Sequence, residues 1–218
     1  MKSLARRGGV GKKMRSKTWF TIVAPPYFKE KQLGLTPAAD PKQVLGRVVE
    51  ASAMDLTNDF SKYYIKFRFR VTSVEGERAY TSFYGLECLR DYISRLIRKR
   101  STRIDAIQDL VTKDGVPIRV KSLAVTFKKV KSSVEKAIRD EIKKIVEEEV
   151  KGSTLQQFLD RILNNSLKKK VMERVSEIYP LRHFEVRKID VLSKERKKTR
   201  TKKIEEEKAE GEPENSAA

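Results

Sequence analysis

The chain has 218 residues, of which 49 are Lys or Arg and 30 are Asp or Glu, so its formal net charge is +19 at pH 7. A positive field of this strength predicts a polyanionic partner, either nucleic acid or an anionic membrane surface. No apolar run approaches the roughly 20 residues of a spanning helix, and no apolar segment follows the N-terminal cations as in a secretory signal. We therefore expect a soluble, cytoplasmic protein. The single cysteine, Cys88, excludes an intrachain disulfide and a thiolate metal cage.

The two ends differ from the middle in charge. Residues 1–17 hold seven cations and no acid, so mutual repulsion predicts a disordered basic arm. Residues 194–203 hold seven cations and one acid, and residues 205–214 hold six acids and one lysine. We predict an N-terminal arm at 1–17, one globular domain at 18–192 and a disordered charged tail at 193–218.

The domain begins with strand patterns. Thr18–Val23 predicts a strand that prolines end, with Trp19 and Phe20 expected in the core about twice as readily as stacked on bases. The next stretch, to Pro41, predicts a loop or a short helix. Gly46–Leu56 predicts a second strand, which a turn at residues 57–59 ends.

Residues 63–72 have the clearest period in the chain. Apolar and polar side chains alternate, so a strand places five apolar residues on one face and three cations on the other. The apolar residues are Tyr63, Ile65, Phe67, Phe69 and Val71. The cations are Lys66, Arg68 and Arg70. A turn at Glu75–Glu77 then predicts a partner strand at Arg78–Phe83 and an antiparallel sheet with one polar face.

From Leu86 the period changes to that of a helix, with Leu89, Ile93, Leu96 and Ile97 on the same stripe. The pattern predicts a helix from Leu86 to about residue 99, with the cysteine beside its apolar stripe as a small hydrophobe. The stretch Arg95–Arg103, the basic segment, contains five cations and no acid and lies where this helix ends. Such a segment either binds a polyanion or is a solvated helix end whose cations suit the helix dipole. The segment alone favours neither interpretation.

The second half of the domain starts again with strands. Ile104–Val111 predicts a mostly buried strand, and Lys113–Gly115 predicts a hairpin turn. The returning strand, residues 118–127, includes Phe127 in its apolar pattern. A change of phase after Val120 predicts a bulge, and a lysine cluster follows at residues 128–131.

Three helices and a last strand complete the domain. Ser132–Glu135 matches a capping box at the start of a helix that ends at Gly152. Residues 153–156 cap a second helix, Asn164-Asn165 breaks it, and Tyr179-Pro180 ends the third. The last strand carries a bulge near Arg187-Lys188. The fold class is therefore α+β: a mainly antiparallel, barrel-like sheet with about four packed helices, in two strand-then-helix halves that meet near residue 100.

The sequence contains no recognisable catalytic motif. We expect His183, the sole histidine, to be packed or partly exposed rather than a general base. Acids such as Glu147–Glu149 are expected to pair with lysines on solvated helix faces. A metal nuclease needs an acid pair assembled from distant segments. The candidate pairs are Asp55 with Asp59, and Asp105 with Asp109. We expect no enzyme activity, no cofactor, no metal and no small-molecule substrate.

The form of the basic regions favours RNA among the polyanions. A peripheral membrane protein needs a basic amphipathic helix with apolar residues free to insert, whereas the apolar stripes here are needed for the core. Neither a duplex-DNA recognition element nor a single-strand RNA motif is evident. Basic arms and cations on sheet and helix ends favour phosphate contacts to a large folded RNA.

The predicted RNA contacts fall in five groups. They are the N-terminal arm (Arg6, Arg7, Lys12, Lys13, Arg15 and Lys17), the alternating strand (Lys66, Arg68 and Arg70), the basic segment (Arg95, Arg98, Lys99, Arg100 and Arg103), the lysine cluster (Lys128, Lys129 and Lys131) and the tail (Arg196, Lys197, Lys198 and Arg200).

Five sequence blocks, in order, also resemble one known family. They are Lys17–Pro25, Gly46–Leu56, Arg90–Tyr92 leading into the basic segment, Thr112–Gly115 and Ile178–Arg182. The family is S3Ae, also called eS1, a small-subunit ribosomal protein shared by archaea and eukaryotes. The resemblance spans about residues 17–192, and the short chain is similar to archaeal members.

The resemblance implies a structural, non-catalytic protein of the cytoplasmic small ribosomal subunit, bound to ribosomal RNA at the platform near the RNA 3′ end and the messenger exit. The expected partners are small-subunit ribosomal RNA and neighbouring platform proteins, with messenger RNA and initiation factors as further candidates and no membrane. The resemblance transfers no binding residues, so the contacts above rest on charge and position. An RNA-processing enzyme and an RNA-binding regulator outside the ribosome are the alternatives.

Overall fold

Two units make up residues 16–192, the part of the chain that the computed structural model describes. The first unit comprises residues 16–47 and 70–82, and the second comprises residues 48–69 and 83–192. In chain order the elements are β1 (Thr18–Val23), β2 (Gln32–Ala38), β3 (Val48–Ser52), α1 (Ala53–Thr57), β4 (Ile65–Glu75), β5 (Arg78–Cys88), α2 (Arg90–Leu96), β6 (Arg103–Val111), β7 (Pro117–Thr126), α3 (Ser132–Lys151), α4 (Leu155–Leu163), α5 (Ser166–Ser176) and β8 (Leu181–Val191).

In the first unit, β1 pairs antiparallel with β2 and parallel with the start of β5. Strand β1 lies where the sequence predicts it. The expected loop or short helix is right for Pro26–Phe28, a short 3-10 helix, and wrong for Gln32–Ala38, which is β2. Gly34 and Pro37 lower the strand propensity of β2, and pairing with β1 stabilises the strand despite this low propensity. Within residues 16–192, β2 pairs with β1 alone, so Pro37 lies in an edge strand, where a missing N–H is tolerated.

The predicted strand Gly46–Leu56 is half strand and half helix. Strand β3 ends at Ser52, whose hydroxyl caps α1 by accepting a hydrogen bond from the Met54 N–H at 3.3 Å. Asn58 then ends α1 in the left-handed conformation, at φ 58°. A serine at a helix N-cap is thus the feature that overrides the strand pattern.

Strand β4 confirms the alternating pattern over most of its length. Ile65, Phe67, Phe69 and Val71 are buried, as predicted. Tyr63 contradicts the prediction, because it precedes the strand and is 49% exposed. Its neighbour Tyr64 is buried instead, and its ring stacks on that of Tyr92 at 3.9 Å between centroids.

The predicted helix from Leu86 to about residue 99 is wrong at both ends. Strand β5 continues through Cys88, and Leu86 pairs with Ile189 of β8. Helix α2 therefore starts only at Arg90 and ends at Leu96. Cys88 is buried in a strand rather than beside a helical stripe, although it is the small apolar residue that was expected.

In the second unit, β6 and β7 form the predicted hairpin, and Gly115 takes its positive φ of 72° in the turn. Strand β6 is half-buried rather than mostly buried, because its side chains alternate and Ile107 is 52% exposed. Phe127 lies beyond the end of β7 and is 56% exposed, so its place in the apolar pattern is also wrong.

The bulge predicted after Val120 and the bulge predicted near Arg187 correspond to a single irregularity in the pairing of β7 with β8. In the β7–β8 ladder Lys121 pairs with Lys188 and Ser122 pairs with Val186. Arg187 is therefore the extra residue of β8. The phase changes predicted in two separate strands have a single cause in their pairing.

Helices α3, α4 and α5 confirm the three predicted helices. The predicted capping box at Ser132–Glu135 is wrong, since Ser132 is already helical and no side chain caps α3. Thr154 does cap α4, in a reciprocal pair with Gln157. Helix α3 packs on β6, and α5 packs on β8 and α3.

The described residues confirm the α+β class, with eight strands and five α-helices. Their pairing is mainly antiparallel, as predicted, and the contact of β1 with β5 is a parallel exception. None of the helices in residues 16–192 is long and apolar enough to cross a membrane.

Candidate nucleic-acid interface

The basic segment connects α2 to β6. Ile93 and Leu96 are buried on the helix side, and Ile104 is fully buried on the strand side, so both ends are held in the core of the second unit. Between these ends the chain turns tightly. The Ser101 hydroxyl donates to the Arg98 carbonyl at 2.6 Å, and Arg100 takes a left-handed φ of 66°. A non-glycine residue is rarely held in this conformation, so the backbone that carries these cations is constrained at Arg100.

A pair of threonines connects the basic segment to the lysine cluster. The Thr102 N–H donates to the Thr126 hydroxyl at 3.0 Å, and the Thr126 N–H donates to the Thr102 carbonyl at 3.0 Å. The Thr102 hydroxyl accepts from the Val130 N–H at 3.2 Å, and the Thr126 hydroxyl donates to the Lys128 carbonyl at 2.7 Å. Two basic stretches about 30 residues apart in sequence are therefore bound to one junction.

We call the cations on either side of this junction the basic corner. They are Arg95, Arg98, Lys99, Arg100, Lys128, Lys129 and Lys131, and all seven are exposed. Within residues 16–192 none of them forms an ion pair. Their charges are therefore uncompensated, which makes the corner the strongest candidate for phosphate contact in the described chain.

The pKa of His183, beside the basic corner, is lowered in part by neighbouring cations. Burial lowers the pKa of His183, and the charges of Lys168 and Arg182 lower it further, with a smaller contribution from Arg98. The imidazole is partly buried in β8, as the sequence predicts. Its lowered pKa keeps it neutral at pH 7.

Other predicted contacts are engaged by acids. Arg68 contacts Asp190 at 2.5 Å and Glu87 at 3.9 Å, with only 17% of its side chain exposed. Lys66 contacts Glu50 at 3.3 Å. Arg103 donates to the Asp105 carboxylate from Nε and Nη2, at 3.0 and 3.1 Å. A phosphate at any of these three cations must compete with a carboxylate.

The remaining predicted contacts divide between exposed positions and undescribed ones. Arg70 and Lys17 are exposed in the first unit. The other members of the two terminal groups lie outside residues 16–192. They are Arg6, Arg7, Lys12, Lys13 and Arg15 before β1, and Arg196, Lys197, Lys198 and Arg200 after β8.

One candidate acid pair for metal binding is taken up by arginines. Asp105 binds Arg103, and Asp109 binds Arg119 through Nε and Nη2 at 2.6 and 2.7 Å. Both acids lie on β6, four residues apart, which is about 13 Å along a strand. That separation is too large for the two carboxylates to share one metal ion.

The threonine junction is the part of the site that the sequence does not predict. Thr102 and Thr126 belong to no periodic pattern, and their partnership depends on the β6–β7 register, in which Arg103 lies opposite Val125. The hairpin itself was predictable from its turn. If residues of the two strands are paired by counting outwards from the turn at Gly115, Thr102 falls opposite Thr126.

Comparison with known proteins decides the family. The sequence model described as the Ribosomal S3Ae family matches residues 6–195, which is most of the chain. The chain belongs to the Ribosomal S3Ae family. Three similar relatives all carry the name small ribosomal subunit protein eS1.

These S3Ae relatives resemble the chain over most of its length. The Methanopyrus kandleri protein is 42% identical over 184 residues, which cover 83% of this chain and 87% of the relative. The Aeropyrum pernix protein is 42% identical over 190 residues, covering 85% and 89%. The Sulfurisphaera tokodaii protein is 42% identical over 189 residues, covering 87% and 98%. All three organisms are archaea.

Three of the five blocks that resemble the S3Ae family lie at element boundaries in the second unit. Residues 90–92 start α2, and residues 112–115 make the β6–β7 turn. Residues 178–182 lead from α5 into β8. The first of these blocks opens the helix that leads directly into the basic segment.

Proposed function

We propose that this S3Ae protein is a structural constituent of the small ribosomal subunit and binds ribosomal RNA through its basic corner. The observation that carries the proposal is the corner itself: seven exposed cations in two stretches, bound to one threonine junction and free of ion pairs within residues 16–192. The names of the relatives support the ribosomal role, because each is called a small ribosomal subunit protein.

The geometry favours contact with phosphates rather than with bases. Six of the seven cations stand on loops, between α2 and β6 and after β7, and Arg95 lies in the last turn of α2, a helix of seven residues. Most of the corner is therefore loop rather than a recognition helix of the kind that enters a groove. Contacts of this kind fix the position of a folded RNA and read its shape. Binding by several phosphates also predicts a steep dependence on salt, because each contact releases counterions.

The family resemblance supports the finer assignments. We infer that the protein lies at the platform of the cytoplasmic small subunit, near the RNA 3′ end and the messenger exit. Its partners there are ribosomal RNA and neighbouring platform proteins, with messenger RNA and initiation factors as further candidates.

Sedimentation tests the ribosomal assignment. Cell extract containing the tagged full-length chain is separated on a sucrose gradient at low and high salt. We expect the chain to migrate with small subunits and to leave them only at high salt. A chain that stays at the top of the gradient in both conditions contradicts the proposal and favours a regulator outside the ribosome.

A charge-matched pair of variants tests the corner. The corner variant replaces Arg98, Lys99 and Arg100 with Gln. Its control replaces three exposed lysines elsewhere, Lys42→Gln, Lys136→Gln and Lys169→Gln, so that the net charge is the same. For each variant the affinity for small-subunit RNA is plotted against salt concentration on log–log axes. We expect the slope of the corner variant to be shallower than that of wild type by the amount that about two to three phosphate contacts contribute, and the slope of the control to change less. Equal behaviour of the two variants would show that only net charge matters.

A further inference from the structure

A groove of about 510 Å³ lies beside α2 in the second unit, and most of its polar lining is basic. Five of its side chains are cations and one is an acid. The cations are Arg90, Arg103, Lys121, Arg187 and Lys188, and the acid is Glu87. Clefts that take small ligands measure roughly 300–1,000 Å³, so the groove fits a nucleotide-sized group rather than an RNA helix.

Two of the five cations have no acidic partner in the described chain. Lys188 lies 3.2 Å from Glu87, Lys121 lies 3.7 Å from Asp190, and Arg103 binds Asp105. Arg90 and Arg187 form no ion pair within residues 16–192. Among the cations of the groove, these two arginines are the ones without an acid at ion-pair distance in the described chain, one from α2 and one from β8.

Arg187 is the more unusual of the two. It is the extra residue of the β8 bulge, and a bulge changes the direction of the side chain that it carries. Its Nε–H is buried and has no hydrogen-bond partner in the described chain. Burying an N–H of a charged group without a hydrogen-bond partner is costly, and an anion bound by the same guanidinium offsets part of that cost.

A neighbouring groove shows that this charge is a local property. That groove measures about 340 Å³ and shares Glu87, Cys88 and Arg90 with the first. Its charged lining is balanced, with three cations and three acids. These are Lys66, Arg68, Arg90, Glu50, Glu87 and Asp91. The high net charge of the chain alone does not explain why one groove is basic and the next is not.

We propose that the 510 Å³ groove binds one backbone phosphate of an RNA chain, with the guanidinium groups of Arg90 and Arg187 as its contacts. Guanidinium groups match the geometry of a phosphate and donate two parallel hydrogen bonds to it. Arg103 lines this groove and also ends the basic segment, so one RNA strand can meet both surfaces. The inference rests on the proposed function, because it assigns a new contact to the same RNA.

A charge-matched comparison tests the groove. The variant Arg90→Gln with Arg187→Gln removes its two uncompensated charges, and Lys136→Gln with Lys169→Gln removes two exposed charges elsewhere. We expect the groove variant to bind small-subunit RNA at least about tenfold more weakly than the control, with a log–log salt slope reduced by about one. Equal binding by both variants overturns the proposal.

A second measurement titrates the wild-type chain, so its readout does not depend on how Arg90→Gln and Arg187→Gln affect the fold. The Arg187 Nε–H resonance is assigned by its loss in Arg187→Lys and is followed by NMR during titration. We expect a short RNA oligonucleotide to shift it at concentrations where inorganic phosphate and polyglutamate have no effect. An unchanged resonance overturns the proposal. A shift with phosphate alone assigns the groove to the free ion instead, and a shift with polyglutamate alone assigns it to an acidic protein.

The two measurements separate failure of the groove from failure of the proposed function. If the wild-type chain does not bind small-subunit RNA, the proposed function fails. If the wild-type chain binds and the groove variant matches its control, the groove alone fails.

Discussion

One carboxylate connects the three long helices of the second unit, and its removal should destabilise the protein in a pH-dependent way. Glu149 of α3 is buried, with about 10% of its side chain exposed. It accepts hydrogen bonds from Arg161 of α4 and Lys170 of α5. Burial alone would raise the pKa of Glu149, but the hydrogen bond from Lys170 and the charges of Arg161 and Lys170 outweigh it and lower the pKa below its usual range.

The size of the effect follows from these contacts. Glu149→Gln removes the charge from two hydrogen bonds, each worth about 1.5–3 kcal/mol when a charged group is involved. Arg161 and Lys170 are 40% and 45% exposed, so solvent screens both and can solvate them after the substitution. The amide oxygen also keeps one acceptor. We expect a net loss of about 2 kcal/mol in the free energy of unfolding at pH 7.

The sign of the pH dependence follows from the lowered pKa. The stabilisation is complete above the unfolded-state pKa of about 4.3 and is lost as pH falls through the lower folded-state pKa of Glu149. Urea unfolding of wild type and variant from pH 7 to pH 3 measures this difference. Glu148→Gln is the control, since Glu148 is 53% exposed and its pair with Arg174 should contribute less than about 1 kcal/mol. The reasoning fails if both variants lose the same stability at pH 7, or if the Glu149 difference persists undiminished at pH 3.

Three further predictions concern packing and reactivity. Gly85→Ala places a Cβ 2.6 Å from a backbone carbonyl of β8 and should cost about 1–3 kcal/mol, whereas Gly34→Ala meets nothing within 4 Å; equal urea midpoints for the two would contradict this. Burial raises the pKa of Cys88 to about 12, so iodoacetamide at pH 8 should alkylate the folded chain far more slowly than the urea-unfolded chain, and matching rates would count against the buried thiol. Phe20→Ala should cost about 3–5 kcal/mol because Phe20 is 4% exposed, whereas Trp19→Ala should cost under about 1 kcal/mol at 58% exposure, as thermal unfolding of both variants will test.

The same two aromatic residues show how far strand patterns alone can predict the core. The expectation that Trp19 and Phe20 are both core residues is right for Phe20 and wrong for Trp19. Adjacent residues of a strand point to opposite faces, so both enter a core only where both faces are covered. The sequence indicates the strand but not which of its faces is covered.

Elements with a long period or a strong local signal follow from the sequence alone. The buried face of β4, the turn at Gly115 and helix α3 lie where their patterns predict them. In each case the signal is local in sequence. It is an alternation of side chains in β4, a glycine that takes a positive φ in the turn, and an apolar stripe with helical spacing in α3. The charge of the basic segment and its place between a helix and a strand are likewise evident from the sequence.

Only the tertiary structure decides which partners distant residues receive. Leu86 has a helical spacing, yet it lies in a strand because β8 pairs with it. Arg68 and Arg98 are both predicted contacts, but Asp190 neutralises Arg68 from 122 residues away while Arg98 has no ion pair among residues 16–192. The threonine junction of the basic corner and the two arginines of the groove also depend on strand register. A sequence therefore indicates how much charge this surface carries, whereas long-range pairing determines which of its cations are free to meet a phosphate.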